Sequence, residues 1–114
     1  MNSVALIGNL ATDVELRELD AERRVASFLL AVDRGGTGDA DFVMVAAWNK
    51  QAEACHRFLT KGKRVAVDGR LRSRSWEEDG KRRSAIEVVA HRVEFLFAPD
   101  GAAEADVPFE AAAR

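Results

Sequence analysis

Residues 64–76 alternate between two kinds of side chain over an unusual length, and this pattern constrains the fold more than any other. Side chains along a β-strand point to opposite faces in turn, so every second residue lies on the same face. One face carries Val65, Val67, Gly69 and Leu71, which suits a core. The other face carries Arg70, Arg72, Arg74 and Trp76. Because a row of guanidinium groups is costly to bury, the sequence predicts a long strand within residues 63–76 whose basic face meets solvent or a polyanion.

Short apolar segments rich in β-branched residues, separated by turn-forming residues, occupy most of the remaining chain. They predict further strands at residues 3–10, which 14–19 could extend, and at 25–33, 41–48 and 83–97. One helix of about ten residues is predicted after the third strand, with the side chain of Asn49 as its N-cap. Its apolar stripe consists of Ala52, Cys55, Phe58 and Leu59.

Five strands with one short helix between strands 3 and 4 fit an all-β fold, a small closed barrel of the OB type. A roll or an SH3-like barrel satisfies most of the same pattern, and the position of the helix favours the OB-fold. This domain is predicted to span residues 1–98. Residues 99–114 are rich in alanine and acidic residues without apolar periodicity, so we expect a short, mobile acidic tail.

The net charge of −2 conceals a strong segregation of charge along the chain. Residues 57–92 contain eleven basic and five acidic side chains, a net of +6, whereas the segments before and after them each carry a net of −4. Local potential, rather than the average over the whole chain, attracts a polyanion. A solvated surface without a partner is the alternative interpretation of the charge alone.

Aromatic side chains accompany the basic residues on two predicted strands. Phe42 and Trp48 are six residues apart and share one face of the third strand, where plain core packing is the competing interpretation. Cations neutralise phosphates and unpaired bases stack on flat rings, so the pattern favours single-stranded nucleic acid. Nothing in the sequence resembles a recognition helix for a duplex. The candidate contacts on the predicted hairpin are Arg70, Arg72, Arg74, Trp76, Lys81, Arg82 and Arg83.

No constellation in the sequence predicts an enzyme. Cys55 and His56 are neighbours on a helix and point about 100° apart, with no third residue placed to orient the imidazole. The Gly35-Gly36-x-Gly38 cluster lacks a phosphate-loop lysine and a following helix, so it predicts a turn. No Cys and His spacing suits zinc, and no cofactor is expected. Since no secretory signal is recognisable and the apolar runs fall far short of the ~20 residues that span a bilayer, we expect a cytoplasmic protein without a membrane partner.

Five stretches of the chain resemble the bacterial single-stranded DNA-binding proteins in order and spacing. They are Val4-Ala5-Leu6-Ile7-Gly8-Asn9-Leu10, Ala47-Trp48-Asn49-Lys50, Phe58-Leu59-Thr60-Lys61-Gly62, Asp68-Gly69-Arg70-Leu71-Arg72-Ser73-Arg74-Ser75-Trp76 and Glu87-Val88-Val89-Ala90. The resemblance covers residues 1–97 and implies an OB-fold that assembles as a homotetramer or a dimer of dimers. It implies sequence-nonspecific binding and protection of single-stranded DNA in replication, repair or recombination, by a bacterial, nucleoid-associated protein.

Individual contacts are implied by the resemblance at positions that match the family pattern. Base stacking is implied for Phe42, Trp48 and Trp76, and Lys50 joins the expected cationic contacts. A further stacking position of the family falls near Gly35, where this chain has no aromatic residue, so we expect weaker binding or a shorter site than in a typical member. Val43-Met44 stands where family members usually have a His-Arg pair.

The acidic tail contains a segment similar to the tip by which the family recruits replication and repair proteins. This segment is Asp106-Val107-Pro108-Phe109. Family tips close with Pro-Phe, whereas residues 110–114 follow here, so the carboxylate that partners are expected to grip would not lie on Phe109.

Two further interpretations fit the same residues. In one, the fold is a protein-interaction module whose aromatic residues are buried in a subunit interface. In the other, the OB-fold binds RNA rather than DNA. Replacement of Trp76 by alanine tests the first, because it would then cost oligomer stability, and competition between oligo-dT and oligo-rU tests the second.

Overall fold

The computed structural model describes residues 1–97, and the predicted tail at 99–114 lies outside the described residues. Along these residues follow β1 (Val4–Leu10), β2 (Glu15–Glu18), β3 (Arg24–Asp33), β4 (Ala40–Trp48), α1 (Asn49–Phe58), β5 (Arg64–Glu78) and β6 (Lys81–Phe95). The long strand predicted from the alternation is correct, and it continues two residues past Trp76 as β5.

The sheet closes on itself into a barrel. Its strands follow the order β1-β5-β6-β4-β3-β2, and β1 also pairs with β3 through Asn9 opposite Ala31 and Leu10 opposite Leu30. The ring therefore has five strands, while the short β2 runs alongside β3 where an extension of the first strand was expected. Helix α1 lies between the third and fourth strands of this ring. The predicted all-β OB-fold is confirmed.

The interior of the barrel is filled by alternate residues of the strands. The largest strand side chains that are at most 1% exposed are Phe28, Leu30, Val45, Val65 and Val88. Helix α1 adds Ala52 and Cys55, which are fully buried. Each large apolar side chain buried in this way contributes about 1.5–3 kcal/mol. The barrel is therefore a packed core, and a ligand has to bind on its outer surface.

Leu71 does not join this core, contrary to the prediction. Val65 and Val67 are buried, but Leu71 is 45% exposed, and Ile86 on β6 is 60% exposed. Strand β1 pairs with β5 only as far as Gly69. Beyond that point the hairpin of β5 and β6 extends past the barrel, so the strand face that points inward at Val67 faces solvent from Leu71 onward.

Asp79 and Gly80 form the tight turn of this hairpin. Glu78 is directly opposite Lys81, so the loop has two residues. Asp79 has a φ of 53° and Gly80 a φ of 76°, in the left-handed region that the favoured two-residue hairpin turn requires. This turn sets the register of β5 against β6, and the register decides which side chains share a face.

Gly69 lies where the backbones of β5 and β6 approach each other closely. The register of β5 against β6 shifts between Asp68 and Gly69. A Cβ atom on residue 69 would lie 2.1 Å from the carbonyl oxygen of Val89, a separation that no real contact tolerates. The close approach of the two backbones therefore requires glycine at this position.

Replacement Gly69→Ala should lower the free energy of unfolding by about 1–3 kcal/mol, because the backbone of β5 or β6 must move to admit the methyl group. Urea denaturation followed by circular dichroism measures the change. Ser73→Ala, on the exposed part of the same strand, is the control and should stay within about 0.5 kcal/mol of the unmodified chain. A Gly69→Ala chain as stable as the control would show that the close approach of β5 and β6 accepts a side chain.

Helix α1 begins differently from the prediction. Trp48, in extended conformation, is the N-cap residue, and no side chain caps the helix. Asn49 has a φ of 56°, and its Oδ1 accepts a hydrogen bond of 3.1 Å from the backbone N–H of Arg24. Asn49 therefore links α1 to the start of β3. With ten residues, α1 is too short to cross a membrane, and residues 1–97 contain no other helix.

Candidate nucleic-acid interface

Both predicted aromatic residues of β4 lie on its outer face. Phe42 is 61% exposed and Trp48 is half-buried, whereas Val45 and Ala47 on the opposite face are fully buried. Core packing, the competing interpretation, does not describe Phe42 at all and describes Trp48 only in part. A strand rises about 3.3 Å per residue, so the two residues lie about 20 Å apart along β4.

A groove on the outer face of the sheet brings three predicted residues together. Its lining includes Trp48 from β4 and both Arg72 and Arg74 from β5. Ser27 and Ala46, which are directly opposite each other on β3 and β4, also line it. Because these two side chains are small, they leave a depression between the larger ones. Residues far apart in the sequence thus place an indole and two guanidinium groups around one concave surface.

Trp76 continues the basic face of β5 beyond the groove. It is 37% exposed, and the guanidinium carbon of Arg74 lies 4.8 Å from the centroid of its ring. A cation over an aromatic face is attracted by the electron density of the ring, by about 0.5–1 kcal/mol at exposed sites. Arg74 therefore connects the groove to a second indole.

Glu87 introduces an anion into this groove that the sequence did not predict. It lies on β6 directly opposite Arg72, and its side chain is 8% exposed. Its Oε2 accepts a hydrogen bond of 2.5 Å from Nη2 of Arg72, and its Oε1 lies 3.7 Å from Nε of Arg74. Two arginines of the predicted basic row thus share one buried counterion.

The three cations at the hairpin tip divide between two faces. Arg83 is directly opposite Trp76 and shares its face, as does Lys81 two residues earlier. Arg82 lies on the other face, opposite Glu77. Nε of Arg83 is 3.6 Å from a carboxylate oxygen of Glu78, and both side chains are more than half exposed. Solvent screens such an exposed ion pair, so it holds Arg83 only weakly.

The basic segment at residues 57–92 forms two separate patches. Residues 70–87 hold six basic and four acidic side chains, a net of +2. Residues 57–64 hold four basic side chains and no acidic one, and they end at the start of β5, twelve residues before Trp76. The net of +6 read from the sequence is therefore not the charge of the hairpin alone.

The remaining predicted contacts lie around the groove. Arg70 is half-buried on the same face of β5 as Arg72, and Lys50 is exposed in the first turn of α1, two residues after Trp48.

The loop at Gly35 is a turn as predicted, with a φ of 70° at that residue. The four tail residues from Asp106 to Phe109, predicted to bind partners, lie outside the described residues.

Five residues that line the groove were not predicted as contacts: Arg17, Val25, Ser27, Ala46 and Glu87. Arg17 belongs to β2, a four-residue strand whose only signal is the alternation of Leu16 with its charged neighbours. Ser27 carries no functional signal, because its contribution is its small size. Glu87 could have been suspected only from the pairing of β6 with β5.

The Cys55-His56 pair is not arranged for catalysis. Burial raises the pKa of the Cys55 thiol to about 12, while His56 is exposed on the helix surface. A thiol that stays protonated at neutral pH is a poor nucleophile. Among residues 1–97, no group of three His, Cys, Asp or Glu residues is placed to hold a metal ion.

A groove lined by arginine and tryptophan, on the outside of a closed five-stranded barrel, defines the class of nucleic-acid-binding OB-folds. Comparison with known sequences narrows this class to one family. The model of the Single-strand binding protein family matches residues 1–96, so the chain belongs to that family. The resemblance inferred from the five sequence stretches is therefore confirmed, and with it the prediction of a DNA-binding protein rather than an enzyme.

Individual relatives agree with the family match. The chain is 45% identical over 102 residues to a single-stranded DNA-binding protein of Clostridium tetani, covering 84% of this chain and 70% of the relative. Single-stranded DNA-binding protein 3 of Clostridium acetobutylicum is also 45% identical, covering 84% of this chain and 71% of its own. The single-stranded DNA-binding protein of Bacillus cereus is 43% identical over 110 residues, covering 91% of this chain and 65% of its own.

Proposed function

We propose that this chain binds and protects single-stranded DNA, without sequence preference, along the groove and the basic face of the β5–β6 hairpin. The process served would be replication, repair or recombination. The observation that supports this most is the convergence of Trp48, Arg72 and Arg74 on one exposed groove. Family membership supports the same ligand.

In the proposed mechanism, the cations follow the phosphate backbone while unpaired bases stack on the exposed rings. Stacking is worth about 1–3 kcal/mol per base and tolerates any base, since every base has a flat face. Phe42, Trp48 and Trp76 provide the rings. Arg70, Arg72, Arg74, Lys81 and Arg83 share the face that carries Trp76, and Lys50 approaches from α1. Arg82 would contact a strand only where it passes around the hairpin.

Titration with oligo-dT tests this function through tryptophan fluorescence. The chain has two tryptophans, and both lie on the proposed surface, so bound bases should quench most of the emission. Affinity should fall steeply between about 50 mM and 200 mM salt, because each neutralised phosphate releases counterions. The absence of both quenching and a gel shift at the lower salt concentration would refute the proposal. Competition with oligo-rU in the same assay distinguishes DNA from RNA.

We also propose that residues 1–98 are one OB-fold domain that assembles into a homotetramer or a dimer of dimers. Strand β1 supports an assembly, because over Val4–Gly8 it pairs with β5 and its other edge pairs with β3 only at Asn9 and Leu10. Ile7, on the outer face of this strand, is 51% exposed. A second copy could cover both the open edge and the apolar side chain. Sedimentation equilibrium of the full chain and of Ile7→Lys measures the assembly, and a monomer in both would contradict it.

For the acidic tail, we propose recruitment of replication or repair proteins through residues 106–109, at the nucleoid. Its negative charge and its likeness to the family tip support this role. The tail could also compete with DNA for the basic face at low salt. Deletion of residues 99–114 tests the competition, which is refuted if the shortened chain binds oligo-dT no more tightly than the full chain.

A further inference from the structure

Glu87 is the one charged residue that the described part of the chain buries. Burying a carboxylate is unfavourable unless well-placed cations compensate it. Its two oxygens pair with two different arginines of the same row. Oε2 lies 2.5 Å from Nη2 of Arg72, and Oε1 lies 3.7 Å from Nε of Arg74. In the ion pair between Arg83 and Glu78 at the hairpin tip, by contrast, both side chains are more than half exposed. Glu87 therefore differs from Glu78 as a partner of arginine, because its carboxylate is buried and pairs with two guanidinium groups.

The position of Glu87 places its carboxylate where a phosphate would have to compete with it. Glu87, Arg72 and Arg74 line the same groove as Trp48. A phosphate gains affinity largely by releasing the mobile counterions that surround cations and DNA. A carboxylate belonging to the chain cannot be released in this way, so it continues to balance the charge of the arginines when DNA is present.

We propose that Glu87 is a built-in counterion of Arg72 and Arg74 that lowers the affinity of the groove for the phosphates of single-stranded DNA and makes that affinity less dependent on salt. This proposal rests on the proposed function and adds a residue that tunes the affinity for single-stranded DNA. The benefit is that the arginines stay ordered in the free protein without holding the strand so tightly that it cannot exchange.

The variant Glu87→Gln tests the proposal, because glutamine retains an oxygen that can accept the hydrogen bond of Arg72 while removing the charge. If one more phosphate is neutralised, the slope of log affinity against log salt should steepen by about 0.7. The same relation predicts a gain in affinity for oligo-dT of about eightfold at about 50 mM salt, which disappears toward 1 M. The matched control is Glu78→Gln, which removes the same charge from an exposed pair on the same hairpin and should have a clearly smaller effect.

The outcomes separate this proposal from the function on which it rests. A steeper slope and tighter binding for Glu87→Gln, but not for Glu78→Gln, support the counterion role. Equal effects of the two variants, or weaker binding by Glu87→Gln, overturn it while leaving DNA binding intact. If the unmodified chain does not bind oligo-dT at all, the proposed function itself is refuted.

A second variant keeps the proposal testable should Glu87→Gln not fold. Arg74→Gln leaves the closer pair of Arg72 and Glu87 in place. Because Glu87 already balances part of the charge of Arg74, this variant should lower the salt slope by less than Lys81→Gln, whose cation shares that face without such a partner. An equal or larger decrease for Arg74→Gln overturns the proposal.

Discussion

Replacement Trp76→Ala should weaken the binding of oligo-dT by about 1–3 kcal/mol, because one base loses its stacking partner. The fluorescence quench should also decrease, since Trp48 remains as the only tryptophan. Stability should change little, because Trp76 lies on a hairpin that extends past the barrel and is 37% exposed. Titration at fixed salt measures the affinity, and a melting curve confirms that the variant is folded.

Two controls show whether the loss comes from stacking at this site. Trp76→Phe retains a flat ring and should keep most of the affinity. Phe58→Leu removes a partly exposed ring from α1, at the other end of β5, and should leave binding unchanged. If Trp76→Ala binds normally but its sedimentation shows a smaller oligomer, the residue belongs to a subunit interface and the stacking role is wrong.

The double variant Lys81→Gln/Arg83→Gln should lose about sixtyfold in affinity at about 50 mM salt, with a salt slope shallower by about 1.4, as two phosphates lose their cations. Both residues are exposed and lie on the face that carries Trp76, so the fold should be unaffected. Titrations with oligo-dT at several salt concentrations provide both quantities.

Arg82→Gln is the internal control for this experiment. Arg82 lies between the two altered residues in sequence, but β6 directs its side chain to the opposite face. Its replacement should leave the salt slope nearly unchanged. If Arg82→Gln lowers the slope as much per charge as the double variant does, binding follows the total charge of the hairpin rather than the face that carries Trp76.

Local patterns predicted much of the fold. Alternation over residues 64–76 predicted β5, and the same period put Phe42 and Trp48 on one face of β4 and Val45 on the other, while the burial in the structure decided which face points outward. Strand periodicity is a property of the backbone itself, so it survives in almost any tertiary context. The position of the helix then selected the OB-fold among small barrels.

The exact ends of the strands were less predictable, and they mattered for the site. The sequence suggested a break from residue 77 to 82, which would have made Lys81, Arg82 and Arg83 one cluster at the tip. The turn at Asp79 and Gly80 occupies only two residues, so both strands continue to it and strict alternation separates Arg82 from its neighbours. A change of one residue in register reverses the face of every side chain.

By itself, the sequence determined most of the strands, the shared face of Phe42 and Trp48, the arginine row and the family, because each depends on residue type and local spacing. Only the tertiary structure decided how charge is distributed over the surface. It brought Arg17 from β2 to the groove, separated residues 57–64 from the hairpin, and set Glu87 against Arg72 across fifteen residues of chain. Electrostatic interactions depend on distance and burial in space, and the closure of the barrel creates both.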